Sequence, residues 1–324
     1  MVDYLILGTG MELSSGVQWF LKATISTLLT CVNLLGLEVV GTASVVVNFL
    51  VMAPFCFLLL GGLDKMNPAN WDDTPRIHVV PLLHTVLWNY NGFDQISTLA
   101  GEVIDPGKTI PRAIFYSTGI VMATYIFPVL IATSLDAHYG NYNNGYYGVI
   151  AGHTLGPVFH AVFFASASTS GVGMYIAEMA GDTYNLSMMG EEGLIPRVFG
   201  KRWKRSGTPW VATLTQYSLV MCLISLPFES ILQVDNFLYC ASILLEVGAL
   251  IQLRQSHAHV LRPYKIPVDG VWLLVLFVPT LLLALYAMFI CDWQTWMLGG
   301  CLVAATTIGH IIHIRCKKNG RITL

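Results

Sequence analysis

Nine blocks of mostly apolar residues follow one another along this chain, at roughly 19–37, 41–63, 79–103, 112–135, 153–181, 209–227, 233–253, 271–291 and 294–314. Each is near the ~20 residues with which a helix crosses ~30 Å of hydrocarbon. Inside a bilayer every backbone group must be satisfied within the protein, so blocks of this kind can only be helices. The pattern therefore predicts an all-α polytopic membrane protein of about nine transmembrane helices. Composition agrees: 55% of the residues are hydrophobic and 11% charged, against the roughly 25% charged expected of a soluble domain. The seven cysteines lie singly in or beside the blocks, without a CxxC, and read as small membrane hydrophobes with no metal or disulfide implied.

Positive charge is sorted to alternate connections. Lys108 and Arg112 follow the third span, Arg197, Lys201, Arg202, Lys204 and Arg205 the fifth, and Arg254, Arg262 and Lys265 the seventh. Arg315, Lys317, Lys318 and Arg321 end the chain, so these connections and the tail hold 14 of the 17 Lys and Arg residues. The positive-inside rule makes them cytoplasmic, with residues 315–324 as a short cytoplasmic tail and the loop 136–152 external. Nine spans then put the N-terminus outside, where MVDYLILGTGMELSSG has no basic region or cleavage signal to export it. The odd count leads us to expect further spans in front. The sequon at Asn185 falls on the cytoplasmic side and is expected to stay unmodified.

The third block is the unusual one. LLHTVLWNYNGFDQISTLAGEV, residues 82–103, begins and ends like a span but carries Asn89, Asn91, Gly92, Asp94 and Gln95 in its middle. Asn91-Gly92 is a turn signal, and it divides the span into half-helices of about 81–90 and 93–103. The first half would present free carbonyls at its negative dipole end and the second free N–H groups. Such a break marks a transporter's substrate site when it lines a cavity. It is a mere kink when the polar side chains satisfy one another. Asp94 has two readings as well, a ligand for substrate or the N-cap of the second half-helix.

With those residues in view, WNYNGFDQISTLAGEVIDPGKTIPRA resembles the sixth span and following loop of the amino acid/polyamine/organocation (APC) superfamily. The similarity is greatest to the polyamine and amino acid permeases of plants and kinetoplastid protozoa. It continues through GMYIAEMAGDTYNLSMMGEEGLIPRVFGKRWKRSGTPW, NFLYCASILLEVGALIQLR and RPYKIPVDG, which look like the eighth span with its loop, the tenth span and the tenth-to-eleventh loop. The resemblance implies a five-plus-five inverted-repeat transporter fold. Residues 1–324 then form a single permease domain holding spans four to twelve of twelve, since MVDYLIL looks like the end of the third. The first span, whose unwound middle faces the sixth in the family, would be missing.

In the seventh block Asp235, Tyr239, Ser242 and Glu246 share one helical face. This is either a seam along an aqueous path or a set of interhelical hydrogen bonds. The resemblance places Tyr239 against substrate. Glu246 inside an apolar run must be protonated, paired or solvated, which makes it a candidate proton carrier. In the fifth block Ala165, Thr169, Gly173 and Ala177 give a small-residue stripe suited to close packing. Ser166, Thr169 and Ser170 could instead ligate Na⁺, as in related sodium-coupled folds. Glu102 and Glu178, with Asp182, lie near the cytoplasmic ends as gating or structural groups. His84 and His160 read as packed span histidines, and His310 and His313 as interfacial.

No HExxH, GxSxG, P-loop or strand-linked GxGxxG occurs, so no enzyme is expected. The expected function is secondary active transport of polyamines or of cationic and other amino acids, by proton symport with alternating access. Trp88, Asn89, Tyr90, Asn91, Gly92, Asp94 and Tyr239 are the expected substrate-binding residues, and Glu102, Glu178 and Glu246 the candidates for proton handling or gating. No cofactor is expected, and the coupling ion is H⁺ ahead of Na⁺. The partners are the small cationic substrate and the lipid bilayer, without nucleic acid, in the plasma membrane ahead of an internal organelle. The alternatives are an inactive truncated permease, a ligand sensor or an assembly partner.

Overall fold

The computed structural model describes residues 2–72, 78–136, 138–143, 145–262 and 264–318, so Arg76 and the tail residues 319–324 lie outside the described residues. Among the described residues every regular element is helical. The α-helices are α1 (Val2–Thr9), α2 (Ser15–Leu34), α3 (Leu37–Gly62), α4 (Val79–Tyr90), α5 (Pro106–Leu135) and α6 (Tyr146–Leu155). They continue with α7 (Pro157–Glu191), α8 (Trp210–Leu223), α9 (Phe228–Ser256), α10 (Val271–Phe289) and α11 (Trp293–Lys318).

All nine apolar blocks coincide with helices, the third with an interrupted one. Five segments among the described residues are long and apolar enough to cross a membrane: Leu37–Lys65, Pro106–Leu135, Ser230–Ser256, Val271–Phe289 and Trp293–Cys316. Between 6 and 22% of their most apolar windows is buried inside the protein. Side chains such as Phe49, Leu282 and Phe289 are instead exposed, which suits hydrocarbon and would be unfavourable in water. The protein is thus an integral membrane protein. The four remaining blocks fall short for visible reasons. In α2 and α7 the apolar residues are interspersed with Ser, Thr and Asn, α8 has 14 residues, and α4 is stopped after 12.

Two boundaries differ from expectation. The fifth span begins at Pro157, not near 153, and the expected external loop contains α6. Gly156, at φ +107°, turns the chain between them, and Pro157 starts α7 at a position where its missing N–H is harmless. The Gly-Pro pair was the signal for this. At the other end α11 runs on to Lys318, so Arg315–Lys318 of the expected tail are helical.

The chain forms two compact units. The first comprises Met1–Arg76, Ile114–Glu192 and Arg197–Ser225, and the second Ile77–Ala113, Gly193–Pro196 and Leu226–Leu324. In the first, α7 is the central helix, packed by α1, α2, α3, α6 and α8. Its core joins Leu58, Ile131, Ala132, Ile150, Ala151 and Phe163, with Phe55 edge-on to Phe163 at 5.0 Å. The small-residue stripe is not the packed face of α7. Ala165 and Ala177 are exposed, and the buried residues include Phe163, Ser166, Ile176, Met179, Ala180, Thr183 and Ser187. Gly173 of the stripe does make a close approach, where an added Cβ would sit 2.6 Å from Val47. The second unit is organised on α9, which packs with α4, α10 and α11 around Cys240, Ala284 and Ala287.

Candidate functional site at the interrupted helix

The second unit positions the opened span. α4 ends at Tyr90 because Asn91 is extended (φ −80°, ψ 175°) and Gly92 takes φ +84°, a backbone region that glycine enters freely. The Gln95 N–H then donates to the Gly92 carbonyl at 3.2 Å, and the chain continues as a 3₁₀ segment over Asp94–Glu102. The second half is therefore wound more tightly than the α-helix expected for it. Runs of 3₁₀ beyond three or four residues are uncommon, and inside a span they mark a hinge or strain.

Tyr239 of α9 closes the break. Its hydroxyl accepts the Gly92 N–H at 3.3 Å and donates to Asp94 Oδ1 at 3.0 Å. One phenol thus ties both sides of the interruption to a neighbouring helix. Asp94 opens the 3₁₀ segment, whose cap, Phe93, makes no side-chain capping bond. The N-cap position is thus taken by Phe93, and the Asp94 carboxylate is held by the Tyr239 phenol. At the other edge the C-terminal end of α4 supplies partial negative charge through its helix dipole.

The remaining expected residues divide by position. Trp88, Asn89, Tyr90 and Asn91 are half-buried in and just after the last turn of α4. The Trp88 ring stands edge-on to Phe228 at the start of α9, centroids 5.3 Å apart, so it packs against protein as well as flanking the break. Glu246 lies two turns beyond Tyr239 on α9, exposed, and accepts from the Ser242 hydroxyl at 3.0 Å. Glu102 is exposed at the far end of the 3₁₀ segment. Glu178 belongs to the first unit, on an exposed position of α7, while Asp182 there accepts from Gln216 at 2.7 Å.

Two of the three hydroxyls considered for Na⁺ are engaged with backbone: Ser166 donates to Val51 O at 3.1 Å and Thr169 to Ala165 O at 2.7 Å. Among the described residues no group of three or more His, Cys, Asp or Glu could hold a metal ion. His310 and His313 contact the carbonyls of Leu194 and Gly193 at 3.1 and 3.2 Å. Sequence reasoning passed over Asn236, whose side-chain NH₂ donates to the His84 carbonyl at 3.0 Å and fixes α4 against α9 one turn before Tyr239. A polar residue three positions from Tyr239 in the motif NFLYC was the available signal. Chemically, the break gathers a carboxylate, a helix carbonyl end, a phenol and aromatic faces, a set complementary to an ammonium group.

Comparison with known proteins places the chain in a family. The family described as amino acid permease matches residues 2–291. The polyamine transporter RMV1 of Arabidopsis thaliana is 36% identical over 287 residues, 86% of this chain and 58% of that protein. The polyamine transporter PUT1 of Oryza sativa subsp. japonica is 35% identical over 281 residues, 86% of this chain and 53% of its own length. A probable agmatine/putrescine antiporter of Lactococcus lactis is 20% identical over 302 residues. The chain spans little more than half the length of the plant relatives it matches.

Proposed function

The chain belongs to the amino acid permease family, within the APC superfamily, and from that premise we propose that it binds small organic cations, polyamines first and basic amino acids second, as part of a secondary transporter. The observation that carries the reading is the Tyr239 hydroxyl held between the Gly92 N–H and the Asp94 carboxylate. Substrate ammonium groups bind between Asp94, the carbonyl end of α4 and the rings of Trp88, Tyr90 and Tyr239, with Asn89 and Asn91 completing the rim. A carboxylate accepts more hydrogen bonds than the one from Tyr239, so Asp94 can serve phenol and ammonium together. Glu246, two turns away, suits the second charge of a polyamine or a coupled proton, and Glu102 and Glu178 act as gating groups. Transport proceeds by alternating access with proton symport, in the plasma membrane, with the C-terminus cytoplasmic. Names of relatives support the polyamine assignment: both plant proteins are called polyamine transporters.

The test is equilibrium binding of radiolabelled spermidine to the purified chain in lipid nanodiscs, competed by putrescine, arginine and leucine. Saturable binding displaced by putrescine, and weakly by leucine, is expected. A folded chain that binds no polyamine and no amino acid overturns the reading.

A further inference from the structure

The connection from α7 to α8 carries Arg197, Lys201, Arg202, Lys204 and Arg205 with no acid among them, and it is a built loop. Arg197–Gly200 form a 3₁₀ turn laid on the end of α7, where an added Cβ at Gly190 would sit 2.7 Å from the Gly200 nitrogen. Arg202 reaches back to the same helix. Its Nε donates to Glu191 Oε1 at 2.8 Å, and its guanidinium stands 5.5 Å over the Tyr184 ring. Beyond Arg202 the chain closes on itself: the Trp203 N–H donates to the Thr208 carbonyl and the Gly207 N–H to the Trp203 carbonyl, both at 2.8 Å. Gly207 completes the closure at φ +70°, and Lys204 and Arg205 stand at the tip.

The base of the loop fixes its level in the membrane. Buried Thr208 donates its hydroxyl to Leu34 O at 3.4 Å, and Ser206 lies against Gly36, where an added Cβ would meet the Ser206 carbonyl at 3.5 Å. Leu34 and Gly36 immediately precede Leu37–Lys65, one of the segments able to cross a membrane, and the apolar helix α8 starts at Trp210. The loop therefore sits where hydrocarbon gives way to head groups. Trp203 is 53% exposed and Trp210 40%, and indole rings favour that boundary. Lys201, Lys204 and Arg205 are exposed around Trp203, and of the five basic side chains only Arg202 has a partner among the described residues. Membrane topology needs positive charge alone. It does not call for a closed turn that holds unpaired charges beside an exposed indole.

We propose that residues 201–205 form a binding surface for the head groups of anionic phospholipids. Arg205 takes phosphate oxygens in its planar fork, Lys201 and Lys204 act as point charges, and the Trp203 ring lies against the glycerol and upper acyl chains. Arg202 serves by positioning, through Glu191. On the cytoplasmic side expected for this loop, the leaflet is the one that carries anionic lipid.

This inference needs only that the chain is a membrane protein, so it stands apart from the cation site. Native mass spectrometry of the full chain in detergent, titrated with phosphatidylserine or with phosphatidylcholine of the same acyl chains, reads each lipid's Kd. We expect phosphatidylserine to bind about tenfold more tightly, since each basic residue near an anionic surface strengthens attachment about fivefold before screening. The triple variant Lys201→Gln/Lys204→Gln/Arg205→Gln should lose that preference while binding phosphatidylcholine as the parent does, which also shows that it is folded. The variant Arg315→Gln/Lys317→Gln/Lys318→Gln, with the same change in net charge, should keep the preference. Trp203→Ala should weaken both lipids by the same factor. Glycerophosphoserine, the head group without chains, should not displace the lipid. No preference in the parent, a preference that survives the loop substitutions, equal losses in the loop and tail variants, or loss of phosphatidylcholine from the loop variant overturns the proposal. So does a Trp203→Ala effect on one lipid alone, and displacement by glycerophosphoserine would make the ligand a soluble phosphate instead.

Discussion

The Tyr239 bridge permits a quantitative expectation. Tyr239→Phe keeps the ring and removes only the hydroxyl, which deletes the bond to Asp94 at 3.0 Å and leaves the Gly92 N–H without its acceptor at 3.3 Å. A hydrogen bond to a charged group contributes about 1.5–3 kcal/mol and a neutral one about 0.5–1.5 kcal/mol. The second bond is long and both residues are half-buried, so water recovers part of the loss, and about 1.5–2.5 kcal/mol is expected. At ~1.4 kcal/mol per tenfold, the spermidine Kd should rise about tenfold to sixtyfold. Asp94→Asn removes the charge that receives both phenol and ammonium and should weaken binding by about tenfold. Because the two residues share one bond, their effects should be non-additive, with about 1 kcal/mol of coupling in a double-mutant cycle. Scintillation-proximity binding to the four purified proteins gives all the values needed. Single variants within twofold of the parent, or two effects that simply add, would refute the view that Tyr239 and Asp94 act together to shape the site.

Three further outcomes follow from the geometry. Gly92→Ala forces a side chain into φ +84°, which should destabilise the break by about 1–2 kcal/mol, read as a lower midpoint in thermal unfolding. An unchanged midpoint would mean that the turn relaxes elsewhere. Gly190→Ala should destabilise the first unit by about 1–3 kcal/mol, since its Cβ would lie 2.7 Å from the Gly200 nitrogen. Gly119→Ala, whose Cβ meets nothing within 4 Å inside α5, should stabilise by about 0.5–1 kcal/mol, so the pair controls for mutation as such. Third, the Asp136 carboxylate accepts from the Tyr146 hydroxyl, from Asn141 at 2.9 Å and from the His138 N–H at 2.8 Å, and these bonds hold it well below the usual carboxylate range. A carboxyl depressed in the folded state stabilises fully above its unfolded value near ~4 and loses that contribution as pH falls from there. Tyr146→Phe, removing the largest cause, should flatten the acid side of the stability profile, and an identical profile would show that the cluster is not holding the charge.

What sequence alone determined here was whatever depends on neighbours along the chain. Apolar blocks the length of a bilayer must be helices, whatever packs beside them, and the described helices coincide with all nine. The break at Asn91-Gly92 was legible for the same reason, because a positive φ is a property of one residue and its side chain. So was the polar face carrying Tyr239 and Glu246, which follows from helical periodicity. The tertiary structure decided everything that depends on contacts across the chain. Tyr239 reaches Gly92 and Asp94 over sequence separations of 147 and 145 residues, and nothing local to NGFD encodes a phenol arriving there. The stripe of small residues on α7 had the correct spacing, yet Ala165 and Ala177 are exposed, because periodicity identifies a face without saying what meets it. The 3₁₀ winding of Asp94–Glu102 likewise contradicts the α-helix that its residues suggested, and this segment continues from a turn whose N–H is held by another helix. His84 is the sharpest case. Its burial was expected from the span around it, but the Asn236 amide that donates to its carbonyl comes from α9, 152 residues further along the chain, and only packing brings the two together.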